Sequence, residues 1–206
     1  MQLKNLWKEK EVTLSFEAFP PKKDSDFASV RSAVEEIAAL KPDFMSVTYG
    51  AGGGTSLFTA EIARTVQNHG VTALAHLTCV SSDREKIRKE LDHLREAGIE
   101  NVLALRGDYP EGYDPAAPRD YQYAQDLVKE IQAYGGFSVG AACYPEGHVE
   151  CPSQAEDLRH LKEKVDCGVD FLVRPRCFLT TAPSTASCTG PSRWASPCRC
   201  WRASCR

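Results

Sequence analysis

The sequence predicts an α/β chain of the (β/α)8 barrel class, incomplete at about five and a half β/α units. Short apolar runs recur about every thirty residues with amphipathic helical patterns between them. Strict alternation of this kind implies a parallel sheet, because each parallel crossover needs a helix. Polar, ligand-competent residues stand at the end of nearly every run, where a barrel assembles its site. The competing doubly wound fold should carry a glycine fingerprint in its first β/α turn. That turn here is Glu17-Ala18-Phe19-Pro20-Pro21-Lys22, without a glycine. A full barrel takes about 250 residues, and this chain has 206.

The elements follow in order from periodicity. Strands are predicted at Thr13–Phe16, Phe44–Thr48, Thr72–Leu77, Asn101–Leu105, Ser138–Cys143 and Phe171–Val173. Helices are predicted at Phe27–Leu40, Ser56–Asn68, Asp83–Ala97, Tyr121–Tyr134 and Ser153–Cys167. In the third helix Ile87, Leu91, Leu94 and Ala97 share one face, and Lys, Arg and Glu cover the other. Ser82 and Glu85 have capping-box spacing, and Gly98 follows as a stop signal.

The composition, 42% hydrophobic and 26% charged, is that of a globular protein. No apolar run approaches the ~20 residues of a membrane span, and Met1-Gln2-Leu3-Lys4-Asn5-Leu6-Trp7-Lys8 lacks a secretory h-region. A cytoplasmic protein without a membrane partner is the expectation. From Arg174 the pattern stops. Residues 174–206 hold six arginines, no acid and the cysteines 177, 188, 198, 200 and 205, with no Val, Ile or Lys. The tail lacks the paired C-x2-C spacing and the histidines of common zinc sites. A basic tail can bind nucleic acid, but a shifted reading frame also yields an Arg-, Ser-, Pro- and Cys-rich segment. The second reading is preferred, so no nucleic-acid partner is expected. Two domains follow: 1–173, a barrel portion, and 174–206, a non-native-looking basic tail.

The strand ends supply Glu17, Thr48, His76, Arg106, Asp108, Tyr144, Glu146 and His148. Carboxylates and imidazoles converging on one face suit general acid–base work. Arg106, with Lys164 on the fifth helix, suits a phosphate or pyrophosphate. Gly50-Ala51-Gly52-Gly53-Gly54-Thr55 allows close backbone approach, and the helix start that follows favours an anion. Each residue also has a plainer reading: His76 as a core histidine, Glu17 as an outward strand residue, the glycines as a flexible loop. Their shared position at strand ends is what carries weight, and alone it indicates a barrel enzyme with an anionic ligand.

Six motifs narrow this. Ser15-Phe16-Glu17-Ala18-Phe19-Pro20-Pro21-Lys22, Ser46-Val47-Thr48-Tyr49-Gly50-Ala51, Ala75-His76-Leu77-Thr78-Cys79, Ala104-Leu105-Arg106-Gly107-Asp108, Tyr144-Pro145-Glu146-Gly147-His148 and Leu161-Lys162-Glu163-Lys164-Val165-Asp166-Cys167-Gly168 stand in order and spacing. Over residues 12–173 the chain resembles bacterial methylenetetrahydrofolate reductase, in the amino-terminal portion of that family's catalytic barrel. The resemblance implies a flavin enzyme: NADH or NADPH reduces FAD, which passes hydride to 5,10-methylenetetrahydrofolate and gives 5-methyltetrahydrofolate. It implies Glu17 as the general acid that opens the methylene bridge to an iminium, an acid whose pKa partial burial should raise. It implies Asp108 as the carboxylate beside flavin and pterin. Thr48, Tyr49, Ala51, His76, Arg106, Gly107, Asp108, Tyr123, Tyr144, His148, Asp157 and Lys164 fall at FAD-contact positions. His160 and Glu163 stand at two helix positions where family members can contact the cofactor, and are left out of the set.

The chain departs from the family at its tail, where Pro175 replaces an expected glutamine that contacts folate. Back-translated with GC-rich codons and read in another frame, the tail gives Thr-Gln-Val-Phe-Phe-Asp and further family-like sequence. The coding DNA tests this: a frame-corrected translation without a barrel continuation contradicts it. A chain lacking its last units should expose sheet edges and apolar surface, so little turnover is expected. The same loss weighs against a family-type homo-oligomer. Two alternatives stand beside the reductase, a non-catalytic flavin- or nucleotide-binding fragment and a lyase or aldolase barrel. The latter is disfavoured because no predicted strand carries a Schiff-base lysine.

Overall fold

The computed structural model describes residues 1–21, 23–49, 56–109, 112, 114, 119–144, 147–148 and 151–174, and residues 199–202 as backbone. Its frame is a seven-stranded parallel sheet whose strands lie side by side in sequence order. The strands are β1 (Ser15–Ala18), β2 (Phe44–Val47), β3 (Thr72–Thr78), β4 (Asn101–Leu105), β5 (Ser138–Ala142), β6 (Phe171–Arg174) and β7 (Arg199–Arg202). The helices are α1 (Leu3–Glu9), α2 (Phe27–Ala39), α3 (Ser56–Asn68), α4 (Arg84–Glu96), α5 (Ala124–Tyr134) and α6 (Gln154–Asp166). Among the described residues no pairing joins β7 to β1, so this is an open portion of a (β/α)8 barrel.

Side chains alternate across each strand and build two cores. On the outer face Met45, Val47, Ala73, Ala75, Leu77, Val102, Ala104, Val139 and Ala141 meet the apolar stripes of α2 to α5. On the inner face Phe44, Leu74, Leu103, Phe171 and Val173 pack with Leu3, Leu6 and Trp7 of α1. The Trp7 ring lies 6.0 Å from Phe44, edge-on, and 4.8 Å from Phe171. Helix α1 thus plugs the end at which the strands begin. Asn101, fully buried at the start of β4, holds it there. Its Oδ1 accepts from the Leu3 amide at 2.7 Å, and its Nδ2 donates to Met1 O and Ala73 O. With one end sealed by apolar packing, the other remains for polar groups.

Five details differ from the sequence reading, one of them the start of α5, which is Ala124 rather than Tyr121 because Tyr123 caps the helix. The first strand begins at Ser15, two residues later than predicted, because Leu14 is bonded through both backbone groups to Asp43 before ladder pairing starts. The shift places Glu17 inside the strand. Helix α1 lies outside the predicted set, and at seven residues it depends on packing rather than propensity. Asp83, not Ser82, caps α4, accepting from the Lys86 amide at 2.8 Å. Strand β7 comes from the aperiodic tail and pairs in parallel with β6, for which an unpaired strand edge is a template. Gly98 follows α4 as read, and Arg174 at the end of β6 is buried.

At the opposite edge β1 has one neighbour among the described strands, and Val12, Leu14 and Phe16 are exposed. Helix α6 buries none of its residues. Among the described residues no helix is long and apolar enough to cross a membrane.

Candidate active site

Register decides which side chains share the inner face. Glu17 pairs with Ser46 and Ser46 with Leu74, while His76 pairs with Leu103, Leu103 with Gly140 and Gly140 with Phe171. Phe44, Ser46 and Thr48 share the inner side of the second strand, as do Leu74, His76 and Thr78 on the third. The inner face is therefore apolar where α1 plugs it and polar towards the carboxyl ends of the strands. Glu17, Ser46, Thr48, His76 and Thr78 form that polar zone.

Glu17 is solvent-accessible, and among the described residues its carboxylate has no hydrogen-bond or ion-pair partner. Burial raises its pKa above the ordinary glutamate value. This is the direction a proton donor near neutral pH requires. His76 is half-buried and pushed down to about 4 by burial, so it is neutral at physiological pH. It offers one donor and one acceptor, not a charge.

Beyond β2, the Thr48 amide donates to Ala18 O at 2.9 Å, and Thr48 O accepts from the Thr59 hydroxyl at 3.1 Å. The Tyr49 ring is buried in the outer core. Ala51 and Glu146 lie outside the described residues, as does the glycine loop of 50–54.

The segment after β4 is the most tightly built part. Arg106 O accepts from the Cys79 and Val80 amides, at 3.2 and 2.8 Å, which fastens it to the end of β3. Gly107 follows with φ +87°, and a Cβ there would stand 3.0 Å from both Thr78 Cβ and Val80 Cγ1. The Arg106 guanidinium sits 4.3 Å from the centre of the Tyr109 ring and donates to its hydroxyl at 3.2 Å. Asp108 is exposed and has no partner among the described residues. Cys79, behind this turn, is buried and its thiol is pushed up to about 12 by burial and the Asp126 charge, so it is not a nucleophile.

Tyr123 caps α5 with its backbone amide bonded to the Asp126 carboxylate at 3.1 Å, and its ring is exposed. Tyr144 and His148 stack edge to face, 5.7 Å between centres. Asp157 and Lys164 are half-buried on α6. Lys164 Nζ donates to Ala142 O at 2.7 Å, which directs the ammonium to the end of β5. Burial lowers its pKa, and the Cys143 and Asp157 charges pull the other way.

The structure thus gathers Glu17, Thr48, His76, Arg106, Gly107, Asp108 and Tyr144 at one end of the sheet, with Lys164 reaching in from α6. Two positions escaped the sequence reading. Tyr109 holds the Arg106 side chain, and no spacing rule reveals that. Ser46 faces Glu17, and strict period-two counting along the second strand could have found it.

The methylenetetrahydrofolate reductase family profile matches residues 2–178. A 5,10-methylenetetrahydrofolate reductase of Pectobacterium carotovorum subsp. carotovorum is 39% identical over 161 residues, covering 77% of this chain and 52% of the relative. Methylenetetrahydrofolate reductase (NADH) 1 of Arabidopsis thaliana is 37% identical over 186 residues, 84% of this chain and 31% of that protein. The chain spans about half the length of the bacterial relatives it matches. Among solved structures, a phosphonopyruvate hydrolase complex with oxalate and Mg++ aligns with TM-score 0.65 at 11% identity, over 98% of this chain and 72% of that one. At that identity the likeness shows the fold alone. With its family match running through six strands and its polar residues gathered at their ends, the chain belongs to the methylenetetrahydrofolate reductase family.

Proposed function

We propose that this chain carries the acid side and the cofactor wall of an FAD-dependent methylenetetrahydrofolate reductase, acting on 5,10-methylenetetrahydrofolate with NADH as electron donor. The observation that carries the reading is Glu17: a partly desolvated carboxyl, without a partner among the described residues, on the inner face at a strand end. NADH is chosen over NADPH because the Arabidopsis and maize relatives carry NADH in their names.

The residues fit FAD on a chemical ground, carried in part on a turn that requires glycine. A Cβ at Gly107 would collide with Thr78 and Val80, so this turn folds as it does only with glycine. Lys164, Arg106 and neutral His76 supply a donor set suited to pyrophosphate and flavin carbonyls. Thr48, Ala51, Tyr123, Tyr144, His148 and Asp157 would complete the contacts, with Tyr49 offering its backbone alone because its ring is buried in the outer core. When bound, FAD supplies a hydride relay between nicotinamide and folate.

The protein's own part is proton handling and orientation. Glu17, with its pKa raised, retains a proton closer to neutral pH and delivers it to the bridge nitrogen of the folate. The bridge then opens to an electrophilic iminium. Asp108 stays unpaired and positions the pterin. Glu17→Gln keeps the shape and loses the proton, so methyltetrahydrofolate formation should fall by at least about 100-fold with FAD binding intact. Undiminished product formation would contradict the assignment.

A second reading is favoured by the open β1 edge and by coverage of about half the relatives' length: a flavin-binding fragment without turnover. Bound FAD that NADH fails to reduce would select it. The cytoplasm is the location we infer for either.

A further inference from the structure

We propose that Ser46 is a positioning residue for the Glu17 carboxyl, an inference that rests on the acid role given to Glu17. The two residues are direct partners in the parallel ladder, and both lie on the inner face. Adjacent strands stand about 4.8 Å apart, so their side chains rise next to one another. Glu17 sits on β1, which pairs among the described strands with β2 alone. Among inner-face side chains, the one directly beside it is therefore Ser46.

The surroundings of Ser46 leave its hydroxyl few other choices. Leu74 lies across the ladder on its far side, and Phe44 precedes it on the same face. Both are apolar. Thr48 stands about 6.6 Å further along the strand. Ser46 is half-buried, and neither its hydroxyl nor the Glu17 carboxylate is engaged by any described residue. Two polar groups without a partner among the described residues thus stand side by side, with apolar Phe44 and Leu74 on the other sides of Ser46.

A hydroxyl suits this place better than a charged group. It donates to a carboxylate and accepts from a carboxylic acid, so it can hold Glu17 in one orientation before and after proton delivery. A lysine or arginine there would depress the acid's pKa, and an alanine would leave the carboxyl to wander. By bonding the ionised form, Ser46 moderates the upward shift that burial imposes.

The test is a carboxyl 13C NMR titration of Glu17 in the full chain, compared among wild type, Ser46→Ala, Ser46→Thr and Ser46→Cys. Ser46→Ala should raise the Glu17 midpoint by about half a unit or more, and Ser46→Thr should restore it. Ser46→Cys, near-isosteric with a weaker donor, should also raise it, which keeps the test decisive if the alanine variant fails to fold. An unchanged midpoint in a folded Ala or Cys variant would overturn the proposal. The readout needs no substrate. Coupled midpoints together with an active Glu17→Gln variant would sink the acid assignment and leave the Ser46–Glu17 contact standing.

Discussion

The ring of Phe171 occupies the space above Gly140: a Cβ placed there would stand 2.6 Å from the ring's Cζ and 3.1 Å from Leu103 Cδ1. The two residues are ladder partners in β5 and β6, and the ring continues into contact with Trp7. The inner core is thus closed by one large side chain resting on one absent one. Gly140→Ala should cost about 1–3 kcal/mol through overpacking, read as a lower urea midpoint at unchanged m-value. Pairing it with Phe171→Leu should recover part of the loss, and a neutral Gly140→Ala would show that the ring relaxes freely.

Gly107 carries a different constraint. Its φ of +87° is unfavourable for any residue with a Cβ, and the neighbouring Thr78 and Val80 leave no room. Gly107→Ala should lose about 1–3 kcal/mol. It should also weaken FAD uptake more than a variant of equal stability at a remote site, such as Gly140→Ala. Equal FAD affinity in the two variants would remove the turn from the cofactor wall.

His76 makes stability depend on pH. Burial holds its folded pKa at about 4, below the ordinary histidine value of about 6.5. Between these values the unfolded chain binds more protons, so stability rises with pH across that window and is lost as pH falls through it. The contribution is about 3 kcal/mol at most. His76→Gln should flatten the stability profile between about pH 4 and 6.5, and a profile that keeps its slope would assign the acid sensitivity to other groups.

Asn101 is the latch on α1. Asn101→Ala leaves the Leu3 amide and Ala73 O without their bonds, at about 1–3 kcal/mol for each group left unsatisfied. Trp7 should then leave its place between Phe44 and Phe171. In a background with Trp194 and Trp201 replaced by Phe, its emission should shift to the red. A native emission maximum in the variant would mean that apolar packing alone seats the helix.

Much of the frame was written in periodicity. The runs Phe44–Thr48, Thr72–Leu77 and Asn101–Leu105 mark strands to within a residue, because strands buried on both faces leave continuous apolar stretches. The first strand was misplaced by two residues because Leu14 looks like a strand residue while its backbone is spent on Asp43. Leu3, Leu6 and Trp7 do have helical spacing, but seven residues give too little pattern to read, and their partners are on distant strands. β7 has no side-chain signal at all, since backbone pairing does not need one. The same division holds at the site. Glu17, His76 and Arg106 were visible as polar residues ending apolar runs. Tyr109 under Arg106 and Ser46 beside Glu17 depend on loop course and ladder register, which only the fold supplies.

The most direct measurement is the flavin absorbance spectrum of the purified 206-residue chain, with added FAD and then with anaerobic NADH. The account predicts a stoichiometric, retained flavin spectrum that weakens in Gly107→Ala. Bleaching by NADH would identify an enzyme, and a bound flavin that does not bleach would identify a binding fragment. A colourless, folded chain that takes up no FAD would contradict the cofactor wall itself.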